Sequence, residues 1–132
     1  MQGGNLEVVH SIYAGWERGD FRSSDWAHRD IEFVYVGGPE PAAARGVEAM
    51  DAAWREWLRD WIGFRAVPVE YRVLDDRRIL VLVRNFGRGR LSGLELTERS
   101  VGNYFEFEGG LVSKLVVYLD GARALTDLGL EE

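Results

Sequence analysis

The spacing of hydrophobic residues along this chain is helical in some segments and alternating in others, and this spacing predicts its helices and strands. Near the N-terminus the apolar residues recur every three or four positions, which predicts a helix from Leu6 to about Arg18. Asn5 can cap its first turn, and Gly19 suits its C-terminal end because glycine adopts left-handed backbone angles without strain. The apolar stripe consists of Leu6, Val9, Ile12, Tyr13 and Trp16.

The next segment is predicted to turn from a short helix into a strand. The short helix would begin at Ser24 or Asp25 and carry Trp26. Alternating apolar residues then predict a strand from Ile31 to Val36. Residues 37–45 contain two of the prolines and are predicted to form a surface loop. The residues on one face of the strand are Ile31, Phe33 and Tyr35.

The middle of the chain predicts a long helix followed by two strands. The helix would run from Gly46 to Ile62, and its apolar stripe consists of Val47, Met50, Trp54, Trp57 and Trp61. A strand is predicted for residues 64–74, where Pro68 favours an edge position or a bulge. After a turn at residues 75–77, residues 78–90 are predicted to form a strand. Residues 79–83 are apolar on both faces, as expected for a central strand, whereas the glycines and arginines of residues 84–90 predict a bulged strand end with solvated arginines.

The stretch from Leu94 to Asp120 predicts a hairpin that turns at Glu108-Gly109-Gly110. One face of its first strand mixes apolar and polar residues, and polar groups on a buried face need partners or a cavity. The sequence therefore predicts a lined cavity at this face. Its apolar members are Val101, Phe105 and Phe107, and its polar members are Glu95, Thr97, Arg99 and Asn103.

The length of the turn decides which face each residue of the second hairpin strand joins. A two-residue turn would place Lys114 beside the cavity, so we favour a three-residue turn with Gly110 in the left-handed conformation. The cavity face then receives Leu111, Ser113, Leu115, Val117 and Leu119. The opposite face is a predicted homodimer surface formed by Tyr104, Val112, Val116 and Tyr118. A terminal helix over residues 122–130, capped by Asp120, completes the chain.

Length and composition indicate one globular α+β domain over residues 1–132. The net charge of −6 argues against a nucleic-acid or anionic-membrane partner. The absence of cysteine excludes disulfides and thiolate chemistry, and we expect a cytoplasmic protein because neither a signal peptide nor a membrane span is recognisable. The two histidines lack metal-ligand spacing, so we expect no metal site.

Four segments together resemble the SnoaL-like and ketosteroid-isomerase-like proteins of the nuclear-transport-factor-2-like superfamily. They are IYAGWERGDF, WAHRDIEFVYV, RGVEAMDAAWREWL and ERSVGNYFEFEGGLVSKLVVYLDGARALTDLGL. The resemblance implies a cone-shaped α+β barrel, or cystatin-like roll, in which a curved, mainly antiparallel sheet wraps a long helix. It also implies an apolar pocket and a dimer. Members include isomerases, cyclases, dehydratases, epoxide hydrolases and non-catalytic binders, so the fold does not specify a reaction.

Residue by residue, the resemblance transfers little of the ketosteroid-isomerase machinery. The position of its catalytic carboxylate is occupied by Tyr35, and that of its oxyanion tyrosine by Ile12, with Tyr13 next to it and expected to point elsewhere. The position of its protonated acid is occupied by Asn103, whose amide could still donate. The pocket acid of the cyclases is matched best by Glu95, and Arg99 beside it weakly resembles the epoxide-hydrolase arrangement.

The candidate catalytic residues are Glu95, Arg99 and Asn103, each of which has a structural alternative as a buried ion pair or a backbone partner. The candidate ligand pocket consists of Tyr13, Trp16, Phe33, Tyr35, Trp54, Trp57, Trp61, Phe105, Leu115, Val117 and Leu119, although such a stripe is also typical of plain core. We expect either a protein that binds or transforms a small apolar organic molecule by cofactor-free proton transfer, or a non-catalytic binding or dimerisation module.

Overall fold

The computed structural model describes residues 4–21, 25–37, 42–93 and 100–130, which form helices packed on a single sheet. No helix within these ranges is long and apolar enough to cross a membrane. The elements are α1 (Gly4–Glu17), β1 (Ala27–Val36), β2 (Ala42–Arg45), α2 (Val47–Arg59), β3 (Trp61–Asp75), β4 (Arg78–Gly89), β5 (Ser100–Glu108), β6 (Leu111–Tyr118) and α3 (Gly121–Asp127).

The strands form one curved sheet in the order β2-β1-β6-β5-β4-β3. Only the β1–β6 contact is parallel among the described strand pairs, so the sheet is mainly antiparallel and the predicted α+β class is confirmed. β3 lies at an edge, and its pairing with β4 shifts register between Pro68 and Glu70. Both expectations for Pro68 are therefore met, because a residue without an N–H fits an edge strand and a bulge.

The two faces of the sheet carry separate clusters of buried side chains. The inner face packs against α1 and α2, and its fully buried residues include Tyr13, Ile31, Met50, Phe105 and Leu115. The outer face packs against α3. A sheet covered on both faces explains why β4 is apolar in both directions, with Ile79 on the inner side and Leu80 on the outer side.

The ends of α1 show why the helix stops where the sequence predicts. Gly19 has a φ of 78°, its N–H donates to the Trp16 carbonyl at 3.0 Å, and the Asp20 N–H donates to the Gly15 carbonyl at 2.9 Å. These bonds satisfy the last carbonyls of the helix, as predicted for Gly19. The expected cap at Asn5 is wrong, because Asn5 lies inside the helix and its Nδ2 donates to the Asp76 backbone oxygen at 2.6 Å.

Several element boundaries differ from the sequence prediction, including the start of β1 at Ala27 and the end of α3 at Asp127. Trp26 lies in a turn directly before β1 rather than in a short helix. β2 occupies part of the predicted loop because it pairs with β1. α2 ends at Arg59, so Trp61 belongs to β3, where it pairs with Gly89. Pairing with distant strands outweighs the local helical spacing in this case, which is a common reason for such errors.

The β5–β6 turn contains two residues rather than three. Glu108 pairs with Leu111, and the intervening Gly109 and Gly110 have φ values of 60° and 83°, as a type I′ hairpin turn requires. A register shift after Glu106 compensates for the shorter turn. The predicted turn length is therefore wrong. The predicted face of the middle of β6 is confirmed, because Leu115 pairs with Phe105 and Val117 pairs with Asn103.

The outer face, predicted as a homodimer surface, is largely covered by α3 of the same chain. Tyr104, Val116 and Tyr118 are buried in the outer cluster, and α3 contributes Ala124 to it. Val112 lies in the inner cluster instead, because the register shift moves it to the face of Phe107. Assembly into a homodimer stays a prediction.

Close approach of α3 to the sheet depends on Gly102. A Cβ at this position would lie 2.8 Å from the Ala124 Cβ. We therefore expect Gly102→Ala to lower the free energy of unfolding by about 1–2 kcal/mol, measured by urea denaturation. The double variant Gly102→Ala/Ala124→Gly should remove the collision and be more stable than additivity predicts. Strict additivity of the two changes would contradict the predicted contact.

Candidate functional site

A cavity of about 450 Å³ lies between α2 and the inner face of the sheet. The long helix forms one side of it, and strands from both edges of the sheet form the other. Its described lining residues are Trp16, Phe33, Tyr35, Ala42, Ala43, Ala44, Ala53, Trp54, Glu56, Trp57, Asp60, Phe64, Ala66, Asn85, Val101, Asn103, Val117 and Leu119.

Aromatic rings form much of the cavity wall. The Trp54 ring centroid lies 5.2 Å from that of Trp16 and 5.7 Å from that of Phe33, and Trp57 lies 6.1 Å from Tyr35. These spacings are typical of packed aromatic pairs. The rings therefore support one another.

Asn103 is the most buried polar residue of the described wall. Its side chain is 4% exposed, and Nδ2 donates to the Tyr13 hydroxyl oxygen at 2.7 Å. Its Oδ1 is buried and has no hydrogen-bond partner among the described residues. An unsatisfied buried oxygen costs about 1–3 kcal/mol. A ligand or water that donates to this oxygen would remove that cost.

Tyr13 supports Asn103 from behind the cavity. It projects from α1, is 1% exposed and does not line the cavity. Burial raises the pKa of Tyr13 strongly, and the hydrogen bond from Asn103 opposes this only in part. The phenol therefore remains protonated throughout the physiological range. The resemblance led to the expectation that Tyr13 points elsewhere than the isomerase tyrosine, and α1 presents it to Asn103 on β5, behind the cavity wall.

Charged side chains of the described wall are acidic. Glu56 and Asp60 line the cavity from the last turns of α2, and both are exposed. No lysine or arginine lines it among the residues that the structure describes. The described wall thus favours neutral or cationic ligands over anions. The candidate catalytic residues Glu95 and Arg99 lie outside the described residues.

The structure separates the residues predicted for the pocket into three groups. Those that line the cavity are Trp16, Phe33, Tyr35, Trp54, Trp57, Val117 and Leu119. Tyr13, Phe105 and Leu115 belong to the inner core instead, because α1 packs over that end of the sheet. Trp61 lies on the far side of α2, because it starts a strand rather than continuing the helical stripe.

Sequence reasoning missed Asn85, which is 7% exposed and lines the cavity. Its strand alternates inward residues at Ile79, Val81 and Val83, and continuing this alternation places Asn85 on the same face. The signal was present, but the glycines and arginines that follow Asn85 suggested a solvated strand end. Asn85 and Asn103 are the two buried amides of the described wall.

The chemistry that the described residues can supply is hydrogen bonding and aromatic contact. No cluster of metal ligands occurs within the described ranges. Tyr35 lines the cavity at the position that the resemblance assigns to the isomerase base. A phenol at this position is a far weaker base near neutral pH than a carboxylate. The ketosteroid-isomerase mechanism therefore does not transfer to this wall.

Comparison with known proteins identifies the fold but no sequence family. No family model and no curated protein sequence matches the chain. A protein described as a SnoaL-like polyketide cyclase from Jannaschia sp. CCS1 superposes with a TM-score of 0.77 at 15% identity, covering 99% of this chain and 95% of that chain.

Two further structures extend the comparison to related groups. An NTF2-like protein of unknown function from Burkholderia pseudomallei K96243 has a TM-score of 0.75 at 19% identity, covering 93% of this chain and 95% of that one. A hypothetical protein with a ketosteroid isomerase-like fold from Catenulispora acidiphila DSM 44928, in complex with trimethylamine, has a TM-score of 0.71 at 12% identity, covering 95% and 94%.

These similarities establish the fold of the protein. It has the cone-shaped fold shared by SnoaL-like, ketosteroid-isomerase-like and NTF2-like proteins, as the sequence resemblance implied. Identities below a quarter establish the fold without transferring an activity.

Proposed function

We propose that this protein binds a small, largely apolar organic molecule in the cavity, with a polar group of the ligand hydrogen-bonded to Asn103. The observation that carries this proposal is the buried Oδ1 of Asn103, which lacks a partner among the described residues at the wall of an aromatic-lined cavity. Small-molecule sites commonly combine an apolar wall with a few fixed polar groups in a volume of about 300–1,000 Å³.

The wall favours a ligand with a hydrogen-bond donor and no negative charge. Nδ2 of Asn103 is already used by Tyr13, so the amide oxygen is the group left to pair. Glu56 and Asp60 would repel an anion at the mouth of the cavity. Phenols, alcohols and protonated amines meet these requirements. The Catenulispora protein is in complex with trimethylamine, which is a cation when protonated, and aromatic faces attract such cations.

A catalytic version of this proposal is that the protein transforms the bound molecule by cofactor-free proton transfer. In that form Asn103 and Arg99 would stabilise an oxyanion, and Glu95 would act as the acid or base. A buried amide on an aromatic wall supports it, because polar groups are worth more in a site that excludes water. It requires the Asn103 amide to rotate so that Nδ2 donates to the substrate. A non-catalytic binder requires no such rotation. Measuring whether a bound ligand is converted to product distinguishes an enzyme from a binder.

Filling the cavity should weaken ligand binding without harming the fold. Ala53 lines the cavity from α2, whereas the adjacent Ala52 is exposed. We expect Ala53→Leu to weaken binding of 2-naphthol, an apolar ring with one hydroxyl donor, by about tenfold or more. The same substitution at Ala52 leaves binding unchanged. Because Leu fills empty apolar space, Ala53→Leu should also raise the unfolding free energy of the ligand-free protein by about 0.5–2 kcal/mol.

Indole N–H signals in two-dimensional NMR spectra provide the binding measurement. Trp16 and Trp57 line this cavity, so their signals should shift as 2-naphthol is added. Naphthalene, which lacks the hydroxyl, should bind more weakly than 2-naphthol to the native protein, and Asn103→Leu should remove this difference. Equal losses for Ala52→Leu and Ala53→Leu, or no shift at either indole, would overturn the proposed function.

A further inference from the structure

A second groove, of about 600 Å³, lies on the opposite side of α2 from the cavity. The end of α1, the outer side of α2 and the first residues of β3 surround it. Trp54 and Phe64 line both spaces and therefore form the partition between them. The groove has its own chemistry, which the proposed function does not use.

Positive charge distinguishes the groove from the rest of this acidic protein. Arg18, Arg55 and Arg65 line it, and Asp51 is the one carboxylate among its described lining residues. None of the three arginines forms an ion pair within the described part of the chain. In a protein with a net charge of −6, three guanidinium groups against one carboxylate among the described residues of a groove create a local attraction for anions.

The arginines are held in ways that leave donors available. Arg18 Nη1 donates to the Ala14 carbonyl at 2.7 Å, and the Arg65 guanidinium lies 5.1 Å from the centre of the Phe86 ring. Arg55 is exposed on α2 and has no hydrogen bond to any described residue. A guanidinium carries five N–H donors in a planar fork that matches a carboxylate. The groove can therefore pair with an acceptor-rich anion.

The floor of the groove adds an aromatic surface and unused indole donors. Phe21 contacts both Trp54 and Phe64 there, with ring centroids 5.8 Å apart for Phe21–Trp54 and 5.5 Å apart for Phe21–Phe64. Trp61 also lines the groove, and its Nε1 is buried without an acceptor among the described residues. Stacking on such rings favours a planar ligand.

We infer that this groove is a second binding site, specific for a planar aromatic carboxylate. The ring of the ligand stacks on the Phe21 and Trp54 surface, and its carboxylate pairs with Arg55 and the neighbouring guanidinium groups. The groove favours an anionic ligand, whereas the cavity, whose described wall is acidic, favours a neutral or cationic one. Two organic molecules can therefore be bound at once, on either side of the Trp54 partition.

The test uses the full chain, 2-naphthoate as the anionic probe and 2-naphthamide as its neutral counterpart. Of the two spaces, Trp61 lines the groove and Trp57 lines the cavity, and their ring centroids lie 5.5 Å apart. The occupied site is therefore the one whose indole N–H signal shifts more. We expect 2-naphthoate to shift the Trp61 signal more than the Trp57 signal. The affinity should fall as salt is raised, and 2-naphthamide should bind about tenfold more weakly.

Arg55→Gln and Arg59→Gln provide matched variants on the same helix. Both residues are exposed and both changes remove one positive charge, but Arg59 does not line the groove. We expect Arg55→Gln to weaken 2-naphthoate binding by about tenfold and Arg59→Gln to leave it nearly unchanged. Equal effects of the two variants, equal binding of the amide, or a larger shift of Trp57 than of Trp61 would overturn the second site. The last result would place the probe in the cavity, which keeps the cavity as a ligand site but contradicts its predicted preference against anions.

Discussion

Replacing Phe105 with Ala is expected to lower the free energy of unfolding by about 3–5 kcal/mol. Phe105 is fully buried, pairs with Ile79 and Leu115 on the neighbouring strands, and meets the Tyr13 ring at 6.1 Å. Removing the ring leaves a hole that α1 and three strands surround and cannot easily close. The change would show as a shifted midpoint in urea denaturation with an unaltered slope.

A matched pair of milder variants tests where Phe105 acts. Phe105→Leu should reduce stability while leaving 2-naphthol binding unchanged, because Phe105 does not line the cavity. Phe33→Leu should weaken binding by about 0.5–1.5 kcal/mol, since Phe33 lines the cavity and packs on Trp54. Equal losses of binding in both variants would mean that the cavity reaches Phe105. Phe86→Ala is a control for the stability effect of Phe105→Ala. The Phe86 ring is half-buried and contacts Arg65, so this change should lower the free energy of unfolding by only about 1 kcal/mol.

The different roles of Phe105 and Phe33 show what an alternating pattern can predict. Alternation placed both residues on the inner face, and both are there. It could not show where the helices press on that face and where they leave space. α1 packs directly on the sheet near Phe105, whereas a cavity lies between α2 and the sheet near Phe33. The face was therefore predictable from the sequence, but the boundary between core and cavity was not.

Errors in element boundaries had a common cause in long-range pairing. The helical spacing of Trp57 and Trp61 continues past the end of α2, but pairing with Gly89 draws Trp61 into β3. In β6, the two-residue turn reverses the predicted face of each residue, and the register shift after Glu106 reverses it again. Leu115, beyond the shift, therefore lies on the predicted face, whereas Val112, before it, does not. Local patterns predicted the number and type of most elements, while their ends depend on partners far away in the sequence.

The hydrogen bond between Tyr13 and Asn103 is expected to stabilise the protein and to define the polar end of the cavity. Tyr13→Phe should lower the free energy of unfolding by about 1–3 kcal/mol, because the Asn103 amide then has no partner for Nδ2 among the described residues. The double variant Tyr13→Phe/Asn103→Leu removes both polar groups and should be more stable than additivity predicts. Asn103→Leu alone should eliminate the preference for 2-naphthol over naphthalene.

The pH dependence of the Tyr13→Phe effect follows from the raised pKa of Tyr13. The folded state keeps the phenol protonated, whereas the unfolded state ionises near pH 10, so the folded state binds more protons above that value. The stability that Tyr13 provides is complete below pH 10, and it falls by about 1.4 kcal/mol per pH unit above it. Urea unfolding of both proteins at pH 8 and pH 11 should show their stabilities converging at the higher pH. A difference that stays constant would mean that Tyr13 ionises equally in both states, and that its hydroxyl is not enclosed between α1 and Asn103.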